Sequence, residues 1–328
     1  MKGNVLKLAA GIGITCLFLF LAYRSLGHLN FARLIHYPVH YFYVLLSVIA
    51  FGASQWFRAL SWSRGMATAI PLRHMFASVC MGTGANMLLP FRIGEIVRIV
   101  TAGRAVKQYG TISVNLVLER LLDVFILALF AVSVAFFIPF EVEVQEKLRL
   151  IRDMLLAGMV VGSIGLILAM RFRQVWITST RLPGILRKIF LLLEQVMFLQ
   201  SPLAGIRTLF YLGCSWGCVY LSAVAGLTAV GIQGHVVWIA SLVVIVMTNL
   251  IMLIPSAPGG IGVFQYACVY SLSLFAIPAF QVAILSVLLH LVQYAAILPL
   301  SGYYFVRDGF SVREMYRSAI RQQGKTGA

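Results

Sequence analysis

Apolar runs recur along almost the whole sequence, and short basic segments separate them. About eight runs have the length of a membrane-spanning helix or nearly so: residues 8–23, 41–62, 111–138, 154–170, 208–230, 236–253, 263–277 and 279–306. Only 11% of the residues are charged, whereas a soluble domain carries about a quarter charged residues. The sequence therefore predicts an all-α polytopic membrane protein with about eight transmembrane helices.

The charges follow the pattern of a protein of the inner cell membrane. Lysine and arginine number 26 against 10 acidic residues, a net charge of +16. They concentrate in short loops and the tail, where positive charge marks the cytoplasmic side and contacts anionic lipid headgroups. We expect both termini to be cytoplasmic. A nucleic-acid partner is not expected, because such a protein needs a solvent-facing basic surface.

The chain reads as one integral membrane domain over residues 1–328 made of two halves. The first half is 1–170, and its acidic-leaning segment 140–153 predicts an external loop. A basic cytoplasmic connector, 171–207, follows, with an amphipathic surface helix expected at 185–199. The second half is 208–306, and 307–328 is a basic cytoplasmic tail.

The stretch 85–100 combines helix-breaking residues with charges. Pro90 and Gly94 interrupt an apolar run that carries Arg92, Glu95 and Arg98. Irregular backbone at membrane depth is tolerated only where protein or a water-filled cavity covers it. We therefore expect a broken, re-entrant element whose charges face an interior cavity. A short amphipathic helix on the cytoplasmic surface is the alternative.

The apolar run 111–138 places two carboxylates on one helical face. Asn115, Glu119 and Asp123 are spaced four apart, and Arg120 can reach Asp123 across three positions. Charges near the centre of a membrane helix are costly, so this cluster should face the bundle interior and be paired. One arginine cannot neutralise two carboxylates, so Arg92 or Arg98 is the expected additional partner. The cluster is either a functional site or a structural ion-pair network.

Two interrupted segments correspond between the halves of the chain. NMLLPFRIGE begins at Asn86, and NLIMLIPSAPGGIGVFQ begins at Asn249; Glu95 ends the first and Gln265 the second. Such breaks at matching places indicate an internal repeat with a transporter-like site between the halves, although a chance likeness of two breaks is the alternative. The glycines Gly259, Gly260 and Gly262 would let the backbone approach a ligand.

These features together indicate an anion site. The helix that begins near Gly262 presents free N–H groups, and with Arg92, Arg98 and Arg120 it would suit an anion. Within a bilayer the most available anion is a lipid phosphate. His290, Gln293 and Tyr294 of the last run could line the same cavity.

The same residues resemble a known family, the lysylphosphatidylglycerol synthase transmembrane region, also called the flippase-like domain family. The resemblance rests on N-x-LLP-x-R-x-GE-x-x-R from Asn86 to Arg98, on ER-x-x-D from Glu119 to Asp123, and on P-x-x-PGGIGVF from Pro255 to Phe264. In two-part members this domain moves an aminoacylated phospholipid between leaflets, and a soluble domain synthesises it. Nothing in the sequence resembles that soluble domain. Members typically have Glu where this chain has Gln265, which removes a titratable group.

The sequence thus predicts a lipid translocator for an anionic phospholipid, glycolipid or isoprenoid-linked lipid. Its site residues are Asn86, Arg92, Glu95, Arg98, Glu119, Arg120, Asp123, Asn249, Gly259, Gly260, Gly262 and Gln265. No catalytic residue, cofactor or metal ion is expected, since no nucleophile elbow, zinc signature or P-loop occurs. The alternatives are a membrane enzyme acting on a lipid-linked substrate and an accessory subunit of a lipid-synthesising enzyme.

Overall fold

The computed structural model describes residues 2–26, 36–65, 70–89, 93–137, 142–171, 201–252 and 258–308. These residues form ten α-helices and one 3-10 turn, Pro258–Gly260. The helices are α1 (Lys2–Leu26), α2 (Tyr41–Gly65), α3 (Leu72–Leu88), α4 (Gly94–Val106), α5 (Tyr109–Phe137), α6 (Val142–Arg171), α7 (Pro202–Ala229), α8 (His235–Ile251), α9 (Val263–Leu272) and α10 (Ala279–Arg307). The described part of the chain is therefore all-helical, as its sequence predicts.

Three helices in the described ranges are long and apolar enough to cross a membrane. They are α2 over Tyr41–Arg64, α7 over Leu203–Ala229 and α10 over Ala279–Arg307. Each carries exposed large apolar side chains, such as Phe42, Phe210 and Val306. Such exposed apolar surface is typical of helices that contact lipid.

Both predicted helix breaks are present. Leu89, which follows α3, has extended backbone (φ −113°, ψ 145°), and α4 begins at Gly94. In the second half α8 ends at Ile251, and α9 begins at Val263 after the 3-10 turn. Residues 90–92 and 253–257, which include Arg92, lie outside the described ranges.

The two halves repeat the same order of elements. Helices α2 to α5 have 25, 17, 13 and 29 residues, and helices α7 to α10 have 28, 17, 10 and 29. In each half the break separates a 17-residue helix from a short one, and an asparagine, Asn86 or Asn249, lies two residues before the last residue of the longer helix. The described helices therefore support the internal repeat.

The first helices of the two halves, α2 and α7, pack antiparallel along a stripe of small polar residues. The stripe repeats every seven residues on both helices and forms hydrogen bonds at three levels: Ser47 with Ser222, Ser54 with Ser215, and Ser61 with Thr208. A seven-residue repeat keeps one helical face against its partner, and small side chains allow close approach. Corresponding helices that run antiparallel are what an inverted repeat produces.

Two further contacts between the halves are related to each other by the same repeat. Helix α3 packs on α10, and α8 packs on α5. Within each half the 17-residue helix packs on the short one, α3 on α4 and α8 on α9. The end of α3 also contacts the 3-10 turn, so the broken ends of the two halves meet.

Some predicted boundaries are wrong. The segment 140–153 is not a loop from Val142 onward, because α6 begins there and its Glu-, Gln-, Lys- and Leu-rich sequence has high helix propensity. The predicted span 208–230 starts earlier than expected, because α7 begins at Pro202. The run 263–277 is helical only to Leu272. The expected surface helix at 185–199 and tail residues 309–328 lie outside the described ranges.

Candidate functional site

Six charged side chains from three helices form one connected cluster, called here the charge network. It comprises Arg58 of α2, Glu95 and Arg98 of α4, and Glu119, Arg120 and Asp123 of α5. Three guanidinium groups face three carboxylates, so the formal charges cancel. Paired charges of this kind are what a low-dielectric interior requires.

Glu119 is the buried centre of the charge network. Arg98 donates two hydrogen bonds to its carboxylate, Nη1 to Oε1 at 3.1 Å and Nη2 to Oε2 at 2.9 Å. Arg58 donates a third from Nη1 at 2.5 Å. The Arg98 guanidinium also lies 4.3 Å from the centre of the Trp62 ring, a cation–π contact that stabilises a desolvated cation. The Arg98 guanidinium is therefore already bound by protein groups.

Asp123 joins three helices. Its Oδ2 atom accepts hydrogen bonds at 2.9 Å from Arg58 and from Arg120. Its Oδ1 atom accepts one at 2.8 Å from the Trp216 indole N–H of α7. The last bond crosses between the halves, so Asp123 ties the charge network of the first half to the second half.

Arg120 is the accessible cation of the network. It donates to Glu95 Oε1 at 2.6 Å and to Asp123, yet 42% of its side chain is exposed, against 12% for Arg58 and 3% for Arg98. Glu95 is 22% exposed. A guanidinium has five N–H donors, so Arg120 can bind a further anion on its open side without leaving its partners.

The cavity that borders the buried carboxylate of Glu119 is too small for a ligand. A cavity of about 10 Å³ beside Glu119 is lined by Ser61, Trp62, Asn115 and Thr208 among others. Binding pockets for small molecules have roughly 300–1,000 Å³, so a lipid headgroup cannot reach Glu119 from this side. Arg120 and Glu95 are the most exposed members of the network.

Glycines hold α3 close to α4 and so fix the position of Arg98. A Cβ atom on Gly82 would overlap the Arg98 side chain, and one on Gly94 would overlap the Gly82 carbonyl. The Gly94 N–H, the first of α4, donates to Asn86 Oδ1 of α3 at 2.7 Å. Asn86 thus acts as a capping residue that sets where α4 starts.

At the second break, a series of hydrogen bonds runs in one direction, so that each group donates to the next. The Gly262 N–H donates to Gln265 Oε1 at 2.7 Å, so the Gln265 amide nitrogen faces His290 Nδ1, 2.8 Å away. Since an amide nitrogen only donates, Nδ1 must accept, and Nε2 carries the proton that is donated to the Gly259 carbonyl at 2.9 Å. His290 is neutral in this arrangement and binds the 3-10 turn and α9 to α10.

Gly259 allows the two breaks to touch. It has a φ of +70°, and a Cβ atom there would overlap the Tyr294 hydroxyl and lie 2.9 Å from the Met87 carbonyl oxygen of α3. The Tyr294 hydroxyl also donates to that carbonyl at 3.3 Å. The space we expected a ligand to use is therefore filled by the protein, and the N–H of Gly262, the residue before α9, is bound to Gln265.

The structure brings together most of the predicted site residues, but in two clusters. Glu95, Arg98, Glu119, Arg120 and Asp123 join the charge network, and the pairing of Arg120 with Asp123 and of Arg98 with Glu119 is confirmed. Gly259, Gly262 and Gln265 join the His290 cluster instead. Asn249 donates to the Ile245 carbonyl of its own helix, and Gly260 packs against Met252. Arg92 lies outside the described residues.

Sequence reasoning missed Arg58, Trp62 and Trp216. Arg58 lies 61 residues before Glu119, and no short-range spacing links the two. A signal was nevertheless present, because an arginine inside an apolar span requires a counter-ion. Within the described ranges no group of three or more His, Cys, Asp or Glu side chains could hold a metal ion.

Together, the apolar helices, the two interrupted elements and a neutralised buried charge network define a polytopic helical membrane protein. The family model for the lysylphosphatidylglycerol synthase transmembrane region matches residues 8–301, and the chain therefore belongs to this family. The family is a membrane domain associated with lipid-related functions. A comparison with curated proteins found no match.

Proposed function

We propose that the protein moves a lipid with an anionic headgroup between the leaflets of the inner membrane, without changing the lipid covalently. The observation that carries this proposal is the arrangement of the two halves: helices of the same order, antiparallel α2 and α7, and broken ends that meet. Inverted repeats with interrupted helices are characteristic of transporters that expose one site to either side of the membrane.

A consistent topology has six crossings and two re-entrant hairpins. Helix α9 has 10 residues, or about 15 Å, and cannot cross a hydrocarbon core of about 30 Å. It packs on α8 as α4 packs on α3, so each pair forms a hairpin that enters and leaves on the same side. With cytoplasmic termini, α3–α4 enters from the cytoplasm and α8–α9 from outside. This proposal replaces the count of eight crossings.

Arg120 is the residue proposed to receive the headgroup. It is the most exposed cation of the charge network and keeps two carboxylate partners that orient it. Arg98 and Glu119 lie behind it, bound to each other, and act as positioning residues. Arg92, two residues before α4, is proposed as a second headgroup contact from its place in the sequence.

The experiment is lipid movement in vesicles. Purified protein is reconstituted with phosphatidylglycerol carrying a fluorescent nitrobenzoxadiazole group, and dithionite quenches the probe in the outer leaflet. Wild type should expose probe from the inner leaflet faster than protein-free vesicles, and Arg120→Gln should lose most of the gain. Arg64→Gln removes an exposed arginine at the end of α2, outside the network, and should behave like wild type.

The outcomes separate the proposed functions. No acceleration by folded wild-type protein, or equal acceleration by Arg120→Gln, would overturn the translocator proposal. A change in the mass of the recovered lipid would favour a membrane enzyme instead. A lipid-synthesising enzyme that co-purifies stably, together with full tolerance of Arg120→Gln in cells, would favour an accessory subunit.

A further inference from the structure

The hydrogen bonds around His290 form a series that admits only one protonation state. Gly262 donates to Gln265, Gln265 donates to His290 Nδ1, and His290 Nε2 donates to the Gly259 carbonyl. Every donor faces an acceptor only while Nδ1 is unprotonated. The series also joins the 3-10 turn and the first residues of α9 to α10.

A proton on Nδ1 would break this series whichever way the Gln265 amide turns. In the present orientation Nδ1–H would face the amide nitrogen, two donors 2.8 Å apart. If the amide flips, its oxygen accepts from His290, but its nitrogen then faces the Gly262 N–H, which donates at 2.7 Å. Protonation therefore removes either the contact of His290 with α9 or the N-terminal cap of α9.

We propose that His290 is a proton-binding site whose protonation releases the start of α9 from α10 and opens the contact between the two breaks. His290 is 6% exposed, so an imidazolium in the closed arrangement would be a buried charge with no counter-ion among the described side chains. The proton therefore binds better to an arrangement in which water reaches the ring, and lower pH shifts the population towards that arrangement.

Among the described residues, no carboxylate forms a hydrogen bond or ion pair with His290. Its ring stacks on Phe264 at 4.7 Å and meets the edge of Tyr294 at 5.0 Å. Within the described part of the chain, Tyr294 is the one titratable side chain that contacts the ring. The elements packed on α10 carry, within the described side chains, these groups that are charged or titrate near neutral pH: Arg24 of α1, Arg58 and Arg64 of α2, Arg73 and His74 of α3, and Arg207 of α7. None of these side chains forms a hydrogen bond or ion pair with His290.

The release would reach the first half through Gly259. The carbonyl of this residue accepts the His290 bond, and its α-carbon lies against the Tyr294 hydroxyl and the Met87 carbonyl of α3. Moving the 3-10 turn therefore separates the two breaks at their point of contact. As a way to couple lipid movement to protons, this inference rests on the proposed function, whereas the pH-dependent opening does not.

Hydrogen–deuterium exchange of the full chain in lipid nanodiscs tests the inference. Exchange of the segment 259–266 is measured by mass spectrometry between pH 7.5 and pH 5.5, with labelling times scaled for the intrinsic pH dependence of exchange. Wild type should exchange this segment about fivefold faster at the lower pH, the effect expected for loss of one capping hydrogen bond. The segment 47–61 of α2 serves as an internal reference.

Three variants make the test specific. His290→Gln cannot titrate and should lose the pH response. Gln265→Glu supplies a carboxylate that stabilises the imidazolium, so the response should move to higher pH. His235→Gln replaces an exposed histidine at the start of α8 and should leave the response unchanged. A wild-type response below twofold, or one that persists in His290→Gln, overturns the inference.

The vesicle assay separates this inference from the proposed function. Lipid movement with no pH-dependent opening would refute the His290 switch and leave the translocator in place. A pH-dependent opening that His290→Gln abolishes, in a protein that moves no lipid, would refute the translocator and leave the switch. Lipid movement that His290→Gln makes independent of pH supports both.

Discussion

The substitution Glu119→Gln removes one negative charge from the centre of the charge network. Arg58 keeps Asp123 as a partner at 2.9 Å, but Arg98 keeps only Glu95 at 3.8 Å and the Trp62 ring. Breaking a buried pair from one side costs about 3–5 kcal/mol. Glutamine retains the shape and one acceptor, so we take about 3 kcal/mol. At roughly 2 °C per kcal/mol for a large domain, the melting temperature should fall by about 6 °C.

The assay is thermal melting of purified protein in one detergent, followed by size-exclusion chromatography with fluorescence detection. A double-mutant cycle with Arg98→Gln identifies the cause. Arg98→Gln alone leaves Glu119 paired with Arg58, and the double variant restores neutrality. The stability lost in the double variant should therefore be smaller than the sum of the losses in the two single variants, by at least about 1 kcal/mol.

Arg64→Gln is the matched control, because it removes an exposed arginine from the same bundle. It should change stability by no more than about 0.5 kcal/mol. This prediction is refuted if Glu119→Gln melts within about 1 °C of wild type. It is also refuted if the stability losses of Glu119→Gln and Arg98→Gln simply add in the double variant. Either result would mean that the carboxylate is hydrated rather than held by two arginines.

Two further predictions concern glycines at the breaks. Gly94→Ala should lower the free energy of unfolding by about 1–3 kcal/mol, seen as a lower melting temperature or folded yield, because its Cβ would overlap the Gly82 carbonyl. Gly213→Ala is the control, because the space around its Cβ is open, and it should melt like wild type or slightly higher. Gly259→Ala should destabilise through its φ of +70° and its overlap with the Tyr294 hydroxyl. Tyr294→Phe should restore part of that loss in the same melting assay, and no rescue at all would contradict the proposed overlap.

Local sequence patterns predicted the features that depend on local geometry. Proline and glycine locate both breaks, since each acts on its own backbone. The spacing of Glu119 and Asp123 places both on one face, as the helical period requires. The loop conformation predicted for 140–153 was wrong from Val142 onward, because the charged residues there have high helix propensity and form the start of α6. The external position of this segment stays a prediction.

Contacts between the halves were not predictable from such patterns. The pairing of α2 with α7 joins residues up to 175 positions apart, and no periodicity specifies a partner helix. A seven-residue spacing is shared by the serines at 47, 54 and 61 and by the polar residues at 208, 215 and 222. This spacing indicates a helix interface but does not identify the partner helix. The same limit explains why Arg58 was not connected to Glu119.

The two breaks are built alike but held differently, and this difference indicates which half can move. In each, a side-chain amide oxygen accepts the N–H of a glycine at the start of the short helix: Asn86 for Gly94 and Gln265 for Gly262. Around α4 the contacts are ionic and buried, and separating such charges is costly. Around α9 they are neutral hydrogen bonds, each worth about 1 kcal/mol. Opening at α8–α9 therefore costs less than opening at α3–α4, so under the proposed function the second half would move and the charge network of the first half would stay fixed.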